Sequence, residues 1–497
     1  MNYLLNKPFW QLALLSGILM GLATQPLHLG FLAWFGFVPL IHVFLHSTPK
    51  DSARNAFIFS LTFHFISVYW IGNNSGASFG VAFVSLIGAV IYLSLFWVVL
   101  GYLFSLLTRK RGIILYLFPF FVVSLEWIRS FGPMGFPWLN LALTQSHYLP
   151  LIQILEITGT YGVTFWVVAV NGILYTAFTN KGISKNIVGA TGIFFISLFI
   201  AGSARMDWLN ESNKSLSIGV IQPNIDPNEK WDRSLRDRTI ATMDSLHQIA
   251  INLNPDMILW PEAALPIYLR INGHHKKRIQ AIVDQSGIPM LTGIVDRRII
   301  DQDQHYFNGS MFFTPMKKQS YYNKVHLVPF AEYIPLSGHF PKLKSLNFGQ
   351  GNFRPGTEFT VFYIDSIPFS NMICYESSMP NIARAFVKSG AQLLTIEAND
   401  GYLGNTTGPY QHFELARLRA IENRVPIVRS ANTGISGLIL PNGLVEEKIK
   451  LGEQSVFLAQ VNIGNGGSIY SKIGDIFAIV CFMFLLLIGF QTWRKYS

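Results

Sequence analysis

Of two cysteines in 497 residues, only Cys374 lies in a polar stretch; Cys481 sits inside the last apolar run, so no disulfide framework is expected. A lone thiol in such a place either fills a small buried gap or does chemistry. Met372-Ile373-Cys374-Tyr375-Glu376 closes an apolar, strand-like run. Two other segments close similar runs: Trp260-Pro261-Glu262-Ala263-Ala264, and Tyr322-Asn323-Lys324-Val325-His326, which continues to Glu332. Strand ends are where catalytic groups gather in α/β folds. A thiol becomes a nucleophile when a base takes its proton, and the anions that follow need a positive group nearby. Glutamate and lysine are the residue types for those tasks. Taken singly, Glu262 could cap the turn after Pro261, and Lys324 could be a solvated charge. Together the three point to covalent catalysis.

The elements that must position these residues read as an α/β domain over 214–462. Strand-like runs at 216–222, 257–260, 289–294, 306–314, 321–327, 369–374, 392–397, 426–430 and 436–440 alternate with helical patterns at about 230–252, 274–286, 379–389 and 409–423. Such alternation, with extra strand pairs, argues for stacked sheets. His326 and His412 stand at no metal-ligand spacing and read as structural histidines with their hydrogen bonds met, so no metal is expected. No Gly-rich phosphate loop follows a strand, which leaves nucleotide use unsupported. The connector 462–474, with Gly464, Gly466 and Gly467, reads as flexible.

Outside this domain the chain is apolar. Half of all residues are hydrophobic and 13% are charged, against about 25% charged in soluble proteins. Stretches at 9–25, 29–46, 56–72, 80–107, 112–129, 160–179, 187–203 and 475–493 approach the roughly 20 apolar residues a helical span needs. The first runs straight into the second without a small-residue cleavage site, so no cleavable signal is expected. Lysines and arginines cluster after the second, fourth, sixth and eighth stretches, at Lys50, Arg54, Arg109–Arg111, Lys181, Lys185, Arg494 and Lys495, while the loops 24–30 and 73–79 carry none. That alternation puts both termini in the cytoplasm and residues 204–474 on the far side. The +10 net charge is thereby explained by membrane orientation, and no nucleic-acid partner is expected. The apolar loop 130–159 either dips into the bilayer or lies along its surface, and Glu126 and Arg129 read as an ion pair on one helix face.

The three chemical segments resemble the Glu–Lys–Cys triad of the nitrilase, or carbon–nitrogen hydrolase, superfamily. The whole chain, with its helical half (1–204), polar domain and final span, is similar to the apolipoprotein N-acyltransferase family. Further matching stretches are Ile221-Gln222-Pro223-Asn224 with Trp231, Ala398-Asn399-Asp400-Gly401, Gly408-Pro409-Tyr410-Gln411-His412, and Arg429-Ser430-Ala431-Asn432. One departure is Asp400-Gly401-Tyr402-Leu403-Gly404, where the family commonly has a bulkier aromatic pair. The resemblance implies a polytopic α-helical membrane domain of eight spans plus an extracytoplasmic α/β nitrilase-like αββα sandwich.

It also implies Glu262 as general base, Lys324 as oxyanion stabiliser and Cys374 as the nucleophile that carries a fatty acid as thioester. Glu332 and Glu376 would be supporting carboxylates, and Trp231, Tyr375 and Tyr402 lipid contacts, although core packing explains such aromatics equally well. The implied partners are a phospholipid acyl donor and a diacylglyceryl-modified apolipoprotein acceptor, with no cofactor. The implied setting is a monomer in the bacterial cytoplasmic (inner) membrane. Lids over the thioester are expected at 336–354 and 402–407. A membrane-tethered amidase or nitrilase is the competing reading; a transporter is a poorer one, because the spans show no pair of inverted repeats.

Overall fold

The computed structural model describes residues 5–111, 115–179, 185–208, 214–317, 319–335, 337 and 352–496. Most of the expected lid 336–354, and Lys181, lie outside the described residues. Two compact units result: Met1–Gly72 with Phe83–Asp207 and Ile473–Ser497, and Asn73–Ala82 with Trp208–Lys472.

The second unit carries twelve strands among the described residues: β1 (Lys214–Gln222), β2 (Met257–Leu259), β3 (Met290–Ile300), β4 (Asp303–Phe313), β5 (Ser320–Asn323), β6 (Phe362–Ile364), β7 (Ile367–Ile373), β8 (Leu393–Ala398), β9 (Ile427–Ala431), β10 (Ser436–Ile439), β11 (Val445–Ile449) and β12 (Ser455–Ile463). They form two six-stranded sheets, ordered β12-β1-β2-β3-β4-β5 and β11-β10-β9-β8-β7-β6. In each sheet three neighbours run parallel, β1-β2-β3 and β7-β8-β9, and the flanking pairs are antiparallel.

Hydrogen bonds stitch one sheet to the other. Ser310 Oγ on β4 donates to Glu397 Oε2 on β8 at 2.7 Å, and Ser430 Oγ on β9 donates to the Ile221 carbonyl on β1 at 2.7 Å. Helices Arg236–Ile251 and Gly273–Ser286 bury Ile240, Met243, Leu246, Ile279 and Val283 in one core with Ile258 of β2 and Met290 of β3. Helices Pro380–Lys388 and Gly408–Asn423 pack against strands of the second sheet. The unit is thus an α/β sandwich with helices on both sheets.

Four sequence expectations change here. The strand expected over 321–327 stops at Asn323, because Lys324 turns inward to a carboxylate partner. The strands at 289–294 and 306–314 are longer and form one hairpin whose turn, Asp301 and Gln302, has φ of 51° and 67°. Two successive left-handed residues match the twist of a tight hairpin. Three strands, β6, β11 and β12, were not expected at all. The connector expected to be flexible is instead held: Gly467 N–H donates to the Asn423 carbonyl at 3.0 Å, and Ser468 N–H to Ser471 Oγ at 2.7 Å.

The first unit is helical. Among the described residues, five helices are long and apolar enough to cross a membrane: Pro49–Asn73, Phe79–Arg109, Thr160–Thr179, Gly189–Asp207 and Ile476–Lys495. The other three expected spans appear as shorter helices, Phe9–Ala23, Val38–His46 after a 3₁₀ turn at Gly30–Trp34, and Phe118–Arg129. Lys50 and Arg54 lie in the first turns of Pro49–Val68 rather than in a loop, because Thr48 caps that helix by accepting from Asp51 N–H. Ile193, Ile196, Ile200, Val480, Met483 and Leu487 are exposed, an apolar surface that suits lipid rather than water.

The 130–159 stretch is neither extended nor regular. It folds into short turns that bury residues 138–146 within this unit. Glu126 and Arg129 are both buried there. Glu126 accepts from Leu141 N–H and Thr164 Oγ1, each at 2.7 Å, while Arg129 donates to Asn140 Oδ1 at 3.3 Å. Cys481 packs against Val123, Tyr161 and Ala478 as a small hydrophobe.

Candidate active site

Glu262 lies just beyond β2, Lys324 directly after β5 and Cys374 directly after β7. Each neighbourhood contains a left-handed residue: Ala263 (φ 45°), Phe330 (φ 64°) and Cys374 itself (φ 51°). Non-glycine residues persist in that region only where surrounding contacts hold them, and such strain collects at functional sites. Gly293 on β3 makes room for the first segment. A β-carbon there would stand 2.6 Å from Glu262 Cα.

Lys324 and the two glutamates form a buried cluster. Lys324 Nζ donates to Glu332 Oε1 at 2.9 Å and lies 3.9 Å from Glu262 Oε1. Asn308 of β4 bridges the carboxylates, its Nδ2 donating to Glu262 Oε1 and to Glu332 Oε1, each at 2.8 Å. Burial alone would discharge Lys324, but Glu332, Glu262 and the Cys374 and Glu376 groups outweigh it and hold the ammonium above its ordinary range. Burial raises the Glu262 carboxyl above the usual carboxylate range, Lys324 opposing and Glu332 reinforcing. The Cys374 thiol is pushed well up by burial and by Glu262, against the pull of Lys324. All three groups therefore act on one another electrostatically, and burial favours the neutral thiol of Cys374. Part of Cys374 remains accessible.

Glu376 joins the lysine segment to the cysteine turn. Its Oε1 accepts from Tyr322 Oη (2.7 Å), Val325 N–H (2.7 Å) and His326 N–H (3.1 Å), and its Oε2 from Ile373 N–H (2.8 Å). Burial lifts this carboxyl to about 7, with Lys324 and the donors opposing. Because all four partners donate, Glu376→Gln must aim an amide N–H at another N–H or at the tyrosine hydroxyl. We expect the reaction at Cys374 to slow about 100-fold, the scale of a small misplacement of reacting groups. Stability should fall by about 2 kcal/mol. Single-turnover labelling and thermal unfolding read the two effects.

Behind Cys374 stands a second buried network that the spacing of the histidines did not suggest. His412 Nδ1 meets Asp400 Oδ1 at 2.7 Å, and Nε2 lies 2.9 Å from the Cys374 carbonyl and 2.8 Å from Ser377 Oγ. Arg429 Nη2 donates to Asp400 Oδ2 at 2.7 Å. Despite burial, His412 and Arg429 keep the Asp400 carboxyl below its ordinary value. The Cys374 sulfur, an Asp400 oxygen and a His412 nitrogen lie within 4.8 Å of one another, close enough in principle to hold a metal ion. However, both imidazole nitrogens are already engaged and Arg429 supplies the positive charge. The network instead holds the main chain of the cysteine turn.

His326 differs from expectation: its ring stacks on Tyr375 at 5.8 Å, and its buried Nε2 has no hydrogen-bond partner among the described residues. Burial and Lys324 push its imidazole down to about 4. Of the expected lipid contacts, Tyr375 is buried, Tyr402 is half-buried and Trp231 is 43% exposed. Ser75, from the 73–82 stretch, donates its N–H to the Tyr402 carbonyl at 2.8 Å and accepts from Asn228 Nδ2 at 3.0 Å. Asn308, Tyr322, Asp400 and Arg429 escaped sequence reasoning as site residues. Tyr322, Asp400 and Arg429 carried a signal, lying in stretches noted for family likeness, and Asn308 carried none.

Comparison with known proteins agrees along the whole chain. The carbon–nitrogen hydrolase family model matches residues 217–469, and that of the apolipoprotein N-acyltransferase N-terminal domain matches residues 16–173. An apolipoprotein N-acyltransferase from Geobacter metallireducens is 31% identical over 98% of this chain and 95% of its own length. One from Chlorobaculum tepidum is 31% identical over 97% and 96%, and one from Rickettsia prowazekii 30% over 96% and 97%. Among solved structures, an amidase from Nesterenkonia sp. AN1 is 17% identical, with a TM-score of 0.38, over 52% of this chain and 97% of that one. With both halves matched in order and relatives aligned nearly end to end, the chain belongs to the apolipoprotein N-acyltransferase family.

Proposed function

We propose that the chain moves a fatty acyl group from a membrane phospholipid, through a thioester on Cys374, to the α-amine of the N-terminal diacylglyceryl-cysteine of an apolipoprotein. The observation that carries this reading is the buried Glu262–Lys324–Glu332 cluster acting electrostatically on the Cys374 thiol, in a chain whose described residues include five helices of spanning length. Because burial favours the protonated sulfur, it needs a base in the transition state. Glu262 takes that proton as Sγ attacks the ester carbonyl. The oxyanion forms beside the Lys324 ammonium. Collapse breaks the ester bond, and Glu262 returns the proton to the departing lysophospholipid alcohol. In the second half the amine attacks the thioester, Glu262 accepts an amine proton, and the sulfur leaves to be reprotonated. Glu332 holds Lys324 in place, Glu376 ties its segment to the cysteine turn, and Trp231, Tyr375 and Tyr402 contact lipid.

In this reading the three short apolar helices complete an arrangement of eight spans, seven before residue 204 and one at 475–493. Both termini are cytoplasmic, the catalytic domain (214–462) faces outward from the bacterial inner membrane, and the chain acts as a monomer. The distribution of lysine and arginine supports the orientation. The test uses right-side-out membrane vesicles with labelled phospholipid and a diacylated peptide added outside. A fatty-acyl mass increment on the Cys374 peptide, followed by N-acylation, is expected. Free fatty acid without N-acylation would favour the hydrolase reading, and N-acylation only after the vesicles are opened would reverse the orientation.

A further inference from the structure

Lys230 lies between β1 and the helix Arg236–Ile251, and no step above uses it. It is 1% exposed, yet among the described residues the single acceptor its ammonium reaches is the Glu262 carbonyl, at a long 3.5 Å. An ammonium carries three donors, and a cation sealed from water with no carboxylate in hydrogen-bonding contact is disfavoured. The contrast with Lys324 is direct, since that ammonium has Glu332 at 2.9 Å and Glu262 at 3.9 Å. Burial pushes the Lys230 amine down to about 8, with only the Glu262 charge opposing. A group so placed gains most from an incoming anionic oxygen. Next to it, the partly exposed Trp231 presents an apolar face.

Resting on the proposed reaction, the choice of anion narrows. The acceptor offers an amine, which an ammonium repels, whereas the donor brings a phosphodiester joined through glycerol to the ester that reacts. A cation beside the backbone of the base fits the short distance between that phosphate and that ester. We propose that Lys230 binds the phosphodiester of the acyl donor and so selects phospholipids over phosphate-free esters in the first half-reaction.

The test compares two donors on the purified full chain: dipalmitoyl phosphatidylglycerol, and the 4-nitrophenyl ester of palmitic acid, which has no phosphate. The quantity read is the ratio of their single-turnover rates of thioester formation, so any unfolded fraction cancels. In Lys230→Met the ratio should drop by about 30-fold in favour of the neutral ester, the scale of a lost hydrogen bond between charged groups. Lys230→Arg, which keeps the charge, should retain most of the ratio. Equal losses on both donors would assign Lys230 to supporting Glu262 and overturn the inference, as would no change. A wild-type chain acylated by the 4-nitrophenyl ester but never by phospholipid would instead bring down the proposed function itself.

Discussion

Cys374→Ala is expected to fold normally and to lose acyl transfer by about 10⁴-fold or more, the scale seen when a covalent nucleophile is removed. The fold should survive for a local reason. Cys374 has φ of 51°, and alanine brings the same β-carbon to that backbone, so the strain is unchanged. The contacts that hold the turn also reach the main chain rather than the sulfur. Ser377 Oγ donates to the Cys374 carbonyl at 2.8 Å, and His412 Nε2 lies 2.9 Å from it. Intact mass spectrometry after exposure to phospholipid should show no acyl increment on the variant. An increment that persists, for instance on Cys481, would sink the assignment of the nucleophile.

Lys324→Met carries the second large effect and a distinctive signature. Loss of the proposed oxyanion stabiliser should slow thioester formation about 10²- to 10³-fold. It also removes the only cation within 4.0 Å of the Glu262 and Glu332 carboxylate oxygens among the described residues, leaving two buried carboxylates that share Asn308. The sign of the pH effect follows. In the proposed mechanism Glu262 must be ionised to take the thiol proton, so activity is expected above its pKa and should disappear as pH falls through it. In the wild type burial already raises that carboxyl and Lys324 partly opposes the rise. Without the lysine the opposition vanishes, and the acid limb of the single-turnover rate should move to higher pH. A large loss of rate with an unmoved limb would mean that Lys324 serves the oxyanion alone. No loss would remove it from the chemistry. Breaking this buried pair should also cost about 3 kcal/mol of stability, read separately by thermal unfolding.

Elements with local signals were legible. Helix Gly273–Ser286 starts where Asn272 caps it by accepting from His275 N–H and stops at Gly287, φ 72°, so its limits fall within a residue of those expected from sequence. Strand β12 was legible in principle, since Ala459, Val461 and Ile463 are buried and alternate with exposed Gln460 and Asn462. Its partner β1, however, lies more than two hundred residues earlier. Strand β11, Val-Glu-Glu-Lys-Ile, is an exposed edge strand, and its pattern says little about sheet. Three of the expected spans in the apolar half appear as helices shorter than a full span. Apolar composition marks a stretch as non-aqueous, but tertiary packing decides whether it stays one straight helix.

By itself the sequence determined which residue types could react, that each closes a strand-like run, and that apolar stretches bracket the domain holding them. These follow from composition and short-range periodicity, which backbone geometry imposes directly. Tertiary structure alone decided who touches whom. Asn308 bridges Glu262 and Glu332, Glu376 gathers donors from the lysine segment, His412 reaches the Cys374 carbonyl, and Lys230 is buried beside Glu262. Those partnerships arise from sheet order and register, which bring residues distant in the chain within hydrogen-bonding reach, and no local pattern encodes them.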